Sequence, residues 1–372
     1  MLTKPPKIIT LTFVLLFIIL FFYGIIVAKG FLSTLVLGVI FSYLVYPLVH
    51  FLETKAKFPR VLANLLSIIL LLGILSFVMF LVYKNIGRIT ADMPALIAKA
   101  HHNIDQLGAF IENSLGYTIE TQKQMVHDTI NNLFNVSSNF SKSVFKGTTN
   151  TVFVLGLMPV FMFYMLYFRE KFYKFIIMAV PAEKEEDARD IIKKISFVTP
   201  RYVGGVFTVV LILTVLNSFG LWIVGVKYAI LFGIISALFN LIPYFGTWIG
   251  ASIPFTFALL TGESPNLALG VIILFIIRQF TENNILTPNI TGSYVNLNPF
   301  VTILLIIIGG TVWGIIGMFV VVPVAAMVKI IFDHSKTMKP YGYLIGADME
   351  NRKKALWRQK LIIKSKRTIG MR

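Results

Sequence analysis

A stretch of 131 residues, 202–332, contains only five Asp, Glu, Lys or Arg side chains and no histidine. The whole chain is 56% hydrophobic and 14% charged, whereas a soluble domain has about 25% charged residues. Such a chain has too few polar side chains to cover a water-facing surface. Several apolar runs reach the roughly 20 residues that a helix needs to cross a bilayer. We therefore predict an all-α, polytopic integral membrane protein.

Eight apolar segments define the predicted spans, at 8–28, 31–50, 61–83, 148–168, 203–226, 228–260, 267–285 and 299–332. The first has no cleavage-like small-residue site, so we interpret it as a retained span. A tight hairpin is expected at Lys29–Gly30. Basic residues near the N-terminus and at 55–60 predict a cytoplasmic location for both regions, and the even number of spans then places both termini in the cytoplasm.

This arrangement predicts four regions of the chain. They are N-terminal transmembrane helices at 1–83, an external insert at 84–147, a main transport region at 148–332 with a cytoplasmic loop at 169–201, and a basic cytoplasmic tail at 333–372. Apolar residues in the insert recur at helical spacing, which predicts amphipathic helices. These helices either pack on their own membrane domain or form a subunit contact or gate.

The chain contains 34 Lys and Arg against 17 Asp and Glu, a net charge of +17. Residues 333–372 follow an apolar span and carry eleven of the basic residues against three acidic ones. Positive charge beside a span indicates topology and contact with anionic lipid, so we predict lipid contact rather than nucleic-acid binding. The chain has no cysteine. Three scattered histidines in the insert, His101, His102 and His127, do not make a ligand set for zinc, and no metal or cofactor is predicted.

Arg278 and Glu282 occur where an apolar helix turns abruptly polar. Their i, i+4 spacing places both side chains on one helix face, and ionisable residues in a membrane mark functional sites by default. Three interpretations stay open: an ion pair that locks helices together, a pair at the membrane surface, or a carboxylate that handles a proton, a cation or a polar solute. Neighbouring polar residues that favour a wet cavity are Gln279, Asn283 and Asn284.

Two segments predict broken or re-entrant helices, near 239–254 and 282–292. The run 228–260 would be about 50 Å long as a straight helix, against a hydrocarbon core of about 30 Å. Prolines and glycines interrupt both segments, and discontinuous helices of this kind form solute sites in transporters. The residues predicted to form the wall of such a pathway are Asn240, Pro243, Tyr244, Gly246, Gly250, Pro288 and Gly292.

A third group of small residues lies further along the chain, in the sequence IGGTVWGIIGMFVVVP. Glycines at this spacing allow helices to approach closely, and they also occur at bends. We predict helix packing at Gly309, Gly310, Gly314 and Gly317.

Two stretches resemble motifs of the autoinducer-2 exporter family, also called PerM-like permeases. They are NLIPYFGTWIGASIP, starting at Asn240, and ENNILTPNITGSYVNLNPFVTILLIIIGGTVWGIIGMFVVVPVAAMVK, starting at Glu282. The resemblance implies a bacterial inner-membrane protein with about eight spans that forms homo-oligomers. It also implies export of autoinducer-2 or exchange of sodium or lithium for protons. Many members have proline where this chain has Thr247, a difference that leaves one backbone amide free.

The function predicted from these features is secondary transport of a small polar solute, with Glu282 as the protonatable or cation-binding carboxylate and Arg278 as its partner. The alternatives are sodium or lithium exchange for protons and a non-transporting membrane scaffold. We do not expect an enzyme, because the sequence has neither H-E-x-x-H nor G-x-S-x-G. A Walker A motif is also missing, which argues against ATP binding by that route.

Overall fold

The structure is a computed structural model that describes residues 7–115, 149–291 and 297–347. The described residues are 89% helical and contain no strand. The helices are α1 (Lys7–Val27), α2 (Lys29–Thr54), α3 (Arg60–Leu115), α4 (Thr149–Tyr167), α5 (Arg169–Met178), α6 (Glu185–Val224), α7 (Ala229–Phe239), α8 (Phe245–Thr261), α9 (Pro265–Thr281), α10 (Thr287–Ile290), α11 (Pro299–His334) and α12 (Lys339–Ile345). A 3₁₀ turn at Ala182–Lys184 precedes α6, and a π-helical turn at Glu282–Leu286 joins α9 to α10.

The predicted class, a polytopic helical membrane protein, is confirmed. Six helical segments among the described residues are long and apolar enough to cross a membrane, and three shorter apolar helices accompany them. The long segments are α1, α2, α3, α6, the continuous segment from α9 to α10, and α11. A core of buried apolar side chains joins α2, α3, α4 and α6. This core holds the helices against which the site is built.

Helices α7 and α8 form a re-entrant hairpin, which we call hairpin 1. The hydroxyl of Ser236 donates a hydrogen bond to the carbonyl of Gly250 at 2.5 Å, and the rings of Phe232 and Phe257 lie 4.7 Å apart. These contacts fold the two helices antiparallel, so that both outer ends lie at one end of the bundle. The predicted break near 239–254 is the turn at 240–244. Segment 228–260 therefore enters and returns, which confirms the re-entrant element predicted near 239–254.

Helix α11 is a second hairpin, hairpin 2, because the chain reverses at Gly314, with φ +62° and ψ −141°. A Cβ added at Gly317 would lie 1.9 Å from the carbonyl oxygen of Gly309. In a straight helix, residues eight apart would be about 12 Å apart. The start of the first arm also contacts α12, which follows the second arm, because the amide of Asn298 donates to the carbonyl of Ile345 at 2.8 Å.

Packing and bending, the two interpretations of these glycines, thus apply to different residues. Gly314 makes the bend, because residues that carry a side chain rarely adopt its positive φ, whereas glycine adopts it readily. Gly309 and Gly317 allow the arms to touch through their backbones. Gly310 contacts the side chain of Met318 on the opposite arm.

At 282–292 the departure from regular helix takes the form of a π-helical turn rather than a complete break. The amide of Thr287 donates to the carbonyl of Glu282, five residues earlier. Pro288 follows this turn in the first positions of α10, where its missing amide hydrogen is tolerated. The helix therefore continues to Ile290. Gly292 lies outside the described residues.

Two other expectations about the N-terminal half change. The amide of Leu32 donates to the carbonyl of Ala28, and Ala28 donates to Gly24, so α1 continues into α2 with helical hydrogen bonds instead of turning at Lys29–Gly30. Helix α3 does not end at residue 83 but runs on to Leu115. Residues 84–115 of the predicted insert are thus a continuation of α3, and residues 116–147 lie outside the described part of the chain.

Ion pairs identify the two ends of the helix bundle. At one end, which we call the Arg169 end, Arg169 pairs with Glu53 at 2.5 Å, and Lys194 contacts His334 at 2.6 Å. At the other, the Asp92 end, the extension of α3 packs on the base of hairpin 1, where Asp92 pairs with Lys227 at 2.6 Å. Hairpin 1 enters from the Asp92 end and hairpin 2 from the Arg169 end.

Candidate functional site

A polar layer lies between two apolar clusters inside the bundle. On the Asp92 side, Leu221, Phe232 and Phe275 belong to one buried cluster. On the Arg169 side, Leu213 and Ala237 belong to another. Between these clusters α9 places Arg278, the π-helical turn that follows it places Glu282, and hairpin 1 places Ser236, Asn240 and Thr247. Arg278 and Glu282 are both buried in this layer, so polar contacts between them are stronger than they would be in water.

Arg278 and Glu282 form a buried ion pair. Nη1 of Arg278 lies 2.7 Å from Oε2 of Glu282, and the two side chains are 3% and 9% exposed. This burial excludes the interpretation of a pair at the membrane surface. Because α9 and the π-helical turn continue one helix, the i, i+4 spacing still places both residues on one face.

The tip of hairpin 1 binds directly to this pair. Nδ2 of Asn240 donates to Oε1 of Glu282 at 2.7 Å, and the hydroxyl of Thr247 donates to Oδ1 of Asn240 at 3.1 Å. Nη1 of Arg278 donates to the Thr247 hydroxyl at 3.5 Å and to Oε1 of Gln279 at 3.0 Å. A closed set of polar contacts therefore joins α9 to the turn between α7 and α8.

A cavity of about 840 Å³ opens beside these residues. Glu282 and Asn240 reach its wall, whereas Arg278 lies behind it. The wall combines amide, hydroxyl and carboxylate groups with aromatic and aliphatic side chains, which is typical of sites for small polar molecules. Its lining includes Tyr202, Asn240, Pro243, Tyr244, Thr247, Trp248, Ser252, Phe275, Gln279, Glu282, Asn283 and Thr287.

The backbone of Tyr244, at the tip of hairpin 1, is strained. Its φ is +65° and its ψ is −54°, a conformation that a residue with a bulky side chain rarely adopts. The side chain is 51% exposed and lines the cavity. Strained backbone of this kind occurs at ligand sites and switch regions.

The remaining predicted site residues fall into two groups. Gln279 and Asn283 line the cavity and are joined by a 3.0 Å hydrogen bond. Asn284 donates to the carbonyl of Phe280 and does not reach the cavity. Three others act at a distance from it: Gly246 and Gly250 bring the arms of hairpin 1 together, and Pro288 follows the π-helical turn.

Two residues of the layer were not singled out as site candidates from the sequence. Thr247 connects Asn240 to Arg278 through its hydroxyl. Asn217 on α6 is 1% exposed and lies one turn from both Leu213 and Leu221. Contacts of Gly205 with Thr291 and of Gly220 with Leu274 set an antiparallel register between α6 and α9.

This register places Asn217 at the height of Arg278. Both amide atoms of Asn217, and Nε and Nη2 of Arg278, are buried without a hydrogen-bond partner among the described residues. Unpartnered buried polar groups are costly, and each calls for an explanation. Asn217 could have been found in the sequence, since it is a lone amide within an apolar span. Only the structure shows that it lies at the same depth in the bundle as Arg278.

Replacing Asn217 by leucine is expected to raise the free energy of unfolding by about 1–3 kcal/mol. The substitution removes a buried amide that has lost its hydration and retains most of the side-chain volume. Thermal unfolding of the purified protein in detergent measures the change. The reciprocal control, Leu213→Asn, is expected to destabilise. A lower unfolding temperature for Asn217→Leu would contradict the conclusion that the amide is unsatisfied.

The model of a family described as "AI-2E family transporter" matches residues 15–337. The chain belongs to this family. As in the rest of the family, the protein is a multi-pass membrane transporter, in agreement with the long apolar helices.

Curated relatives of this transporter cover most of its length. It is 32% identical over 322 residues to the "Putative transport protein YueF" of Bacillus subtilis strain 168, and this alignment covers 81% of this chain and 84% of the relative. It is 27% identical over 326 residues to "Putative transport protein YrrI" of the same organism, over 84% and 89% of the two chains. A "Putative transport protein" of Haemophilus influenzae is 26% identical over 308 residues, over 80% and 85%.

Proposed function

We propose that the transporter carries a small polar solute through the cavity beside Glu282 and is driven by an ion gradient. The observation that carries this proposal is the double attachment of Glu282. Its carboxylate reaches the cavity wall and binds both Arg278 on α9 and Asn240 at the tip of hairpin 1. A proton or cation that neutralises this carboxylate would change both contacts at once. Solute binding, ion binding and movement of the hairpin tip would thus be coupled.

The family description supports autoinducer-2 as the first solute to test, with export as the direction. The cavity agrees with a neutral molecule rich in hydroxyl groups, since the amides of Asn240, Gln279 and Asn283 offer both donors and acceptors. The Glu282 carboxylate is also a hard oxygen ligand, which suits a sodium or lithium ion. Exchange of these ions for protons is therefore the second candidate.

Charge distribution supports the orientation that we propose. The Arg169 end carries Lys55, Lys57, Arg60, Arg169, Lys171 and Lys174. An excess of basic residues in short loops favours the cytoplasm. We therefore place the Arg169 end, where the basic tail begins, in the cytoplasm of a bacterial inner membrane. Helix α1 has no buried residue in its apolar window, which agrees with contact to lipid or to a second copy in a homo-oligomer.

Flux measurements in proteoliposomes test the proposal, with autoinducer-2, sodium and lithium supplied separately and an imposed pH gradient. Glu282→Gln is expected to lower gradient-driven flux at least about 100-fold, corresponding to about 2.7 kcal/mol. Glutamine keeps the size of the side chain but cannot carry the charge. The matched control is Glu263→Gln, because Glu263 is an exposed carboxylate paired with Lys99 at the Asp92 end. If Glu282→Gln transported every solute at the wild-type rate, the assignment of the transport site to Glu282 would be rejected.

A further inference from the structure

A second cavity, of about 880 Å³, lies at the Asp92 end between α3, α6 and the start of α7. It shares no lining residue with the cavity beside Glu282. Its lining residues include Asn85, Arg88 and Asp92 from α3, Val215, Ser218, Phe219 and Trp222 from α6, and Lys227, Tyr228 and Ile230 at the base of hairpin 1.

The wall of this cavity has a charged part and an apolar part. Arg88, Asp92 and Lys227 form the charged part. The apolar side chains are large and open to the surroundings of the protein, since Phe219 is 58% exposed and Trp222 is 68% exposed. Exposed apolar patches of this kind mark interaction sites for protein or membrane. The arrangement fits a molecule that has a charged head and an apolar body.

The charges leave an excess of one positive charge. Lys227 is paired with Asp92 at 2.6 Å, and this hydrogen bond raises the pKa of the Lys227 ammonium. The hydroxyl of Tyr228 also donates to Asp92. The side chain of Arg88 is exposed, and no hydrogen bond or ion pair engages it within the described part of the chain. Its guanidinium is thus available with five N–H donors, because the Asp92 carboxylate one turn along α3 is bound by Lys227 and Tyr228 instead.

The cavity also lies at the height where lipid headgroups are expected. The apolar part of α3 ends near Tyr83, and the polar residues Lys84 and Asn85 follow at once. Helix α6 ends nearby at Val224. Tryptophan is enriched at the boundary between hydrocarbon and headgroups, and Trp222 occupies that level. The charged part of the wall therefore faces the headgroup region, and the apolar part faces the hydrocarbon.

From these observations we propose that this cavity is a phospholipid site with a preference for anionic headgroups. Arg88 binds the phosphate, because guanidinium and phosphate form two parallel charge-assisted hydrogen bonds. The excess positive charge favours phosphatidylglycerol over phosphatidylcholine. Phe219 and Trp222 contact the upper part of an acyl chain. The bound lipid would rest on Tyr228 and Ile230 and so hold the base of hairpin 1, whichever solute the protein carries.

Native mass spectrometry of the full-length protein tests this proposal, with phosphatidylglycerol or phosphatidylcholine titrated into detergent. Wild type is expected to bind the first phosphatidylglycerol at least about five-fold more tightly, or by about 1 kcal/mol. Arg88→Gln is expected to abolish that preference, and Arg88→Lys to retain part of it. The control is Lys84→Gln, which removes the same charge from the same helix at a residue that does not line the cavity.

Trp222→Ala provides a second, independent variant. It is expected to weaken binding of both lipids alike, because it removes apolar contact and leaves the charge in place. Size-exclusion chromatography checks that each variant is folded. Two results would overturn the proposal. If Lys84→Gln and Arg88→Gln lost the preference for phosphatidylglycerol equally, the preference would come from non-specific charge. If inorganic phosphate displaced the lipid, the cavity would be a site for soluble anions.

Discussion

Replacing Arg278 by methionine is expected to destabilise the folded protein by about 3–5 kcal/mol. Glu282 would then keep a buried charge without its partner, and breaking one side of a buried ion pair has a cost of this size. Methionine keeps much of the volume of the arginine stem, so the effect comes mainly from the charge. Chemical or thermal unfolding in detergent, followed by intrinsic fluorescence, measures the loss.

The double variant Arg278→Met with Glu282→Leu separates charge from packing. Replacing both members of a buried pair by apolar residues of similar size is often neutral or stabilising. We therefore expect the double variant to recover most of the stability that Arg278→Met loses, while gradient-driven flux stays absent. If the double variant lost as much stability as Arg278→Met and Glu282→Leu lose together, the two side chains would not interact in the folded protein.

Gly317→Ala is expected to destabilise hairpin 2 by about 3 kcal/mol, near the upper end of the usual cost of overpacking. The new Cβ would meet the backbone oxygen of Gly309 at 1.9 Å, and a backbone atom cannot move aside like the end of a flexible side chain. The two arms would have to separate. Urea unfolding and limited proteolysis near residue 314 would report the change.

Two further alanine variants serve as comparisons. Gly314→Ala introduces backbone strain without a steric clash, because nothing lies within 4 Å of its added Cβ; the expected cost is about 1–3 kcal/mol. Gly204→Ala, on α6, also has open space around the Cβ and is expected to stabilise by about 0.5–1 kcal/mol. Equal effects of the three substitutions would contradict the close approach of the arms at Gly317.

Much of the site could be predicted from local sequence. The i, i+4 spacing of Arg278 and Glu282 indicated that they could pair, since neighbouring turns of one helix place such residues together. The prolines and glycines at 239–254 indicated an interruption, since proline lacks the amide hydrogen for a helical hydrogen bond and glycine loses more conformational entropy in a helix than other residues do. Both inferences use distances along a single element, where the geometry of the helix links sequence separation to spatial separation.

Contacts across elements could not be predicted in this way. Asn240 and Glu282 are 42 residues apart, and no local rule relates two such positions. The height of Asn217 beside Arg278 depends on the register between α6 and α9, which close contacts at Gly205 and Gly220 establish. A lone asparagine in an apolar span is visible in the sequence, but the sequence does not show which residues face it.

The amino-acid composition by itself determined that the protein is a helical membrane protein, because a chain with so few charged residues cannot cover its surface in water. The tertiary structure decided which apolar segments cross and which return. Lipid solvates an apolar helix equally well in either case, so segments such as 228–260 and 299–332 are as apolar as crossing spans. The difference comes from backbone contacts between hairpin arms, at Gly246 with Phe239 and at Gly317 with Gly309, which form only when the chain folds back.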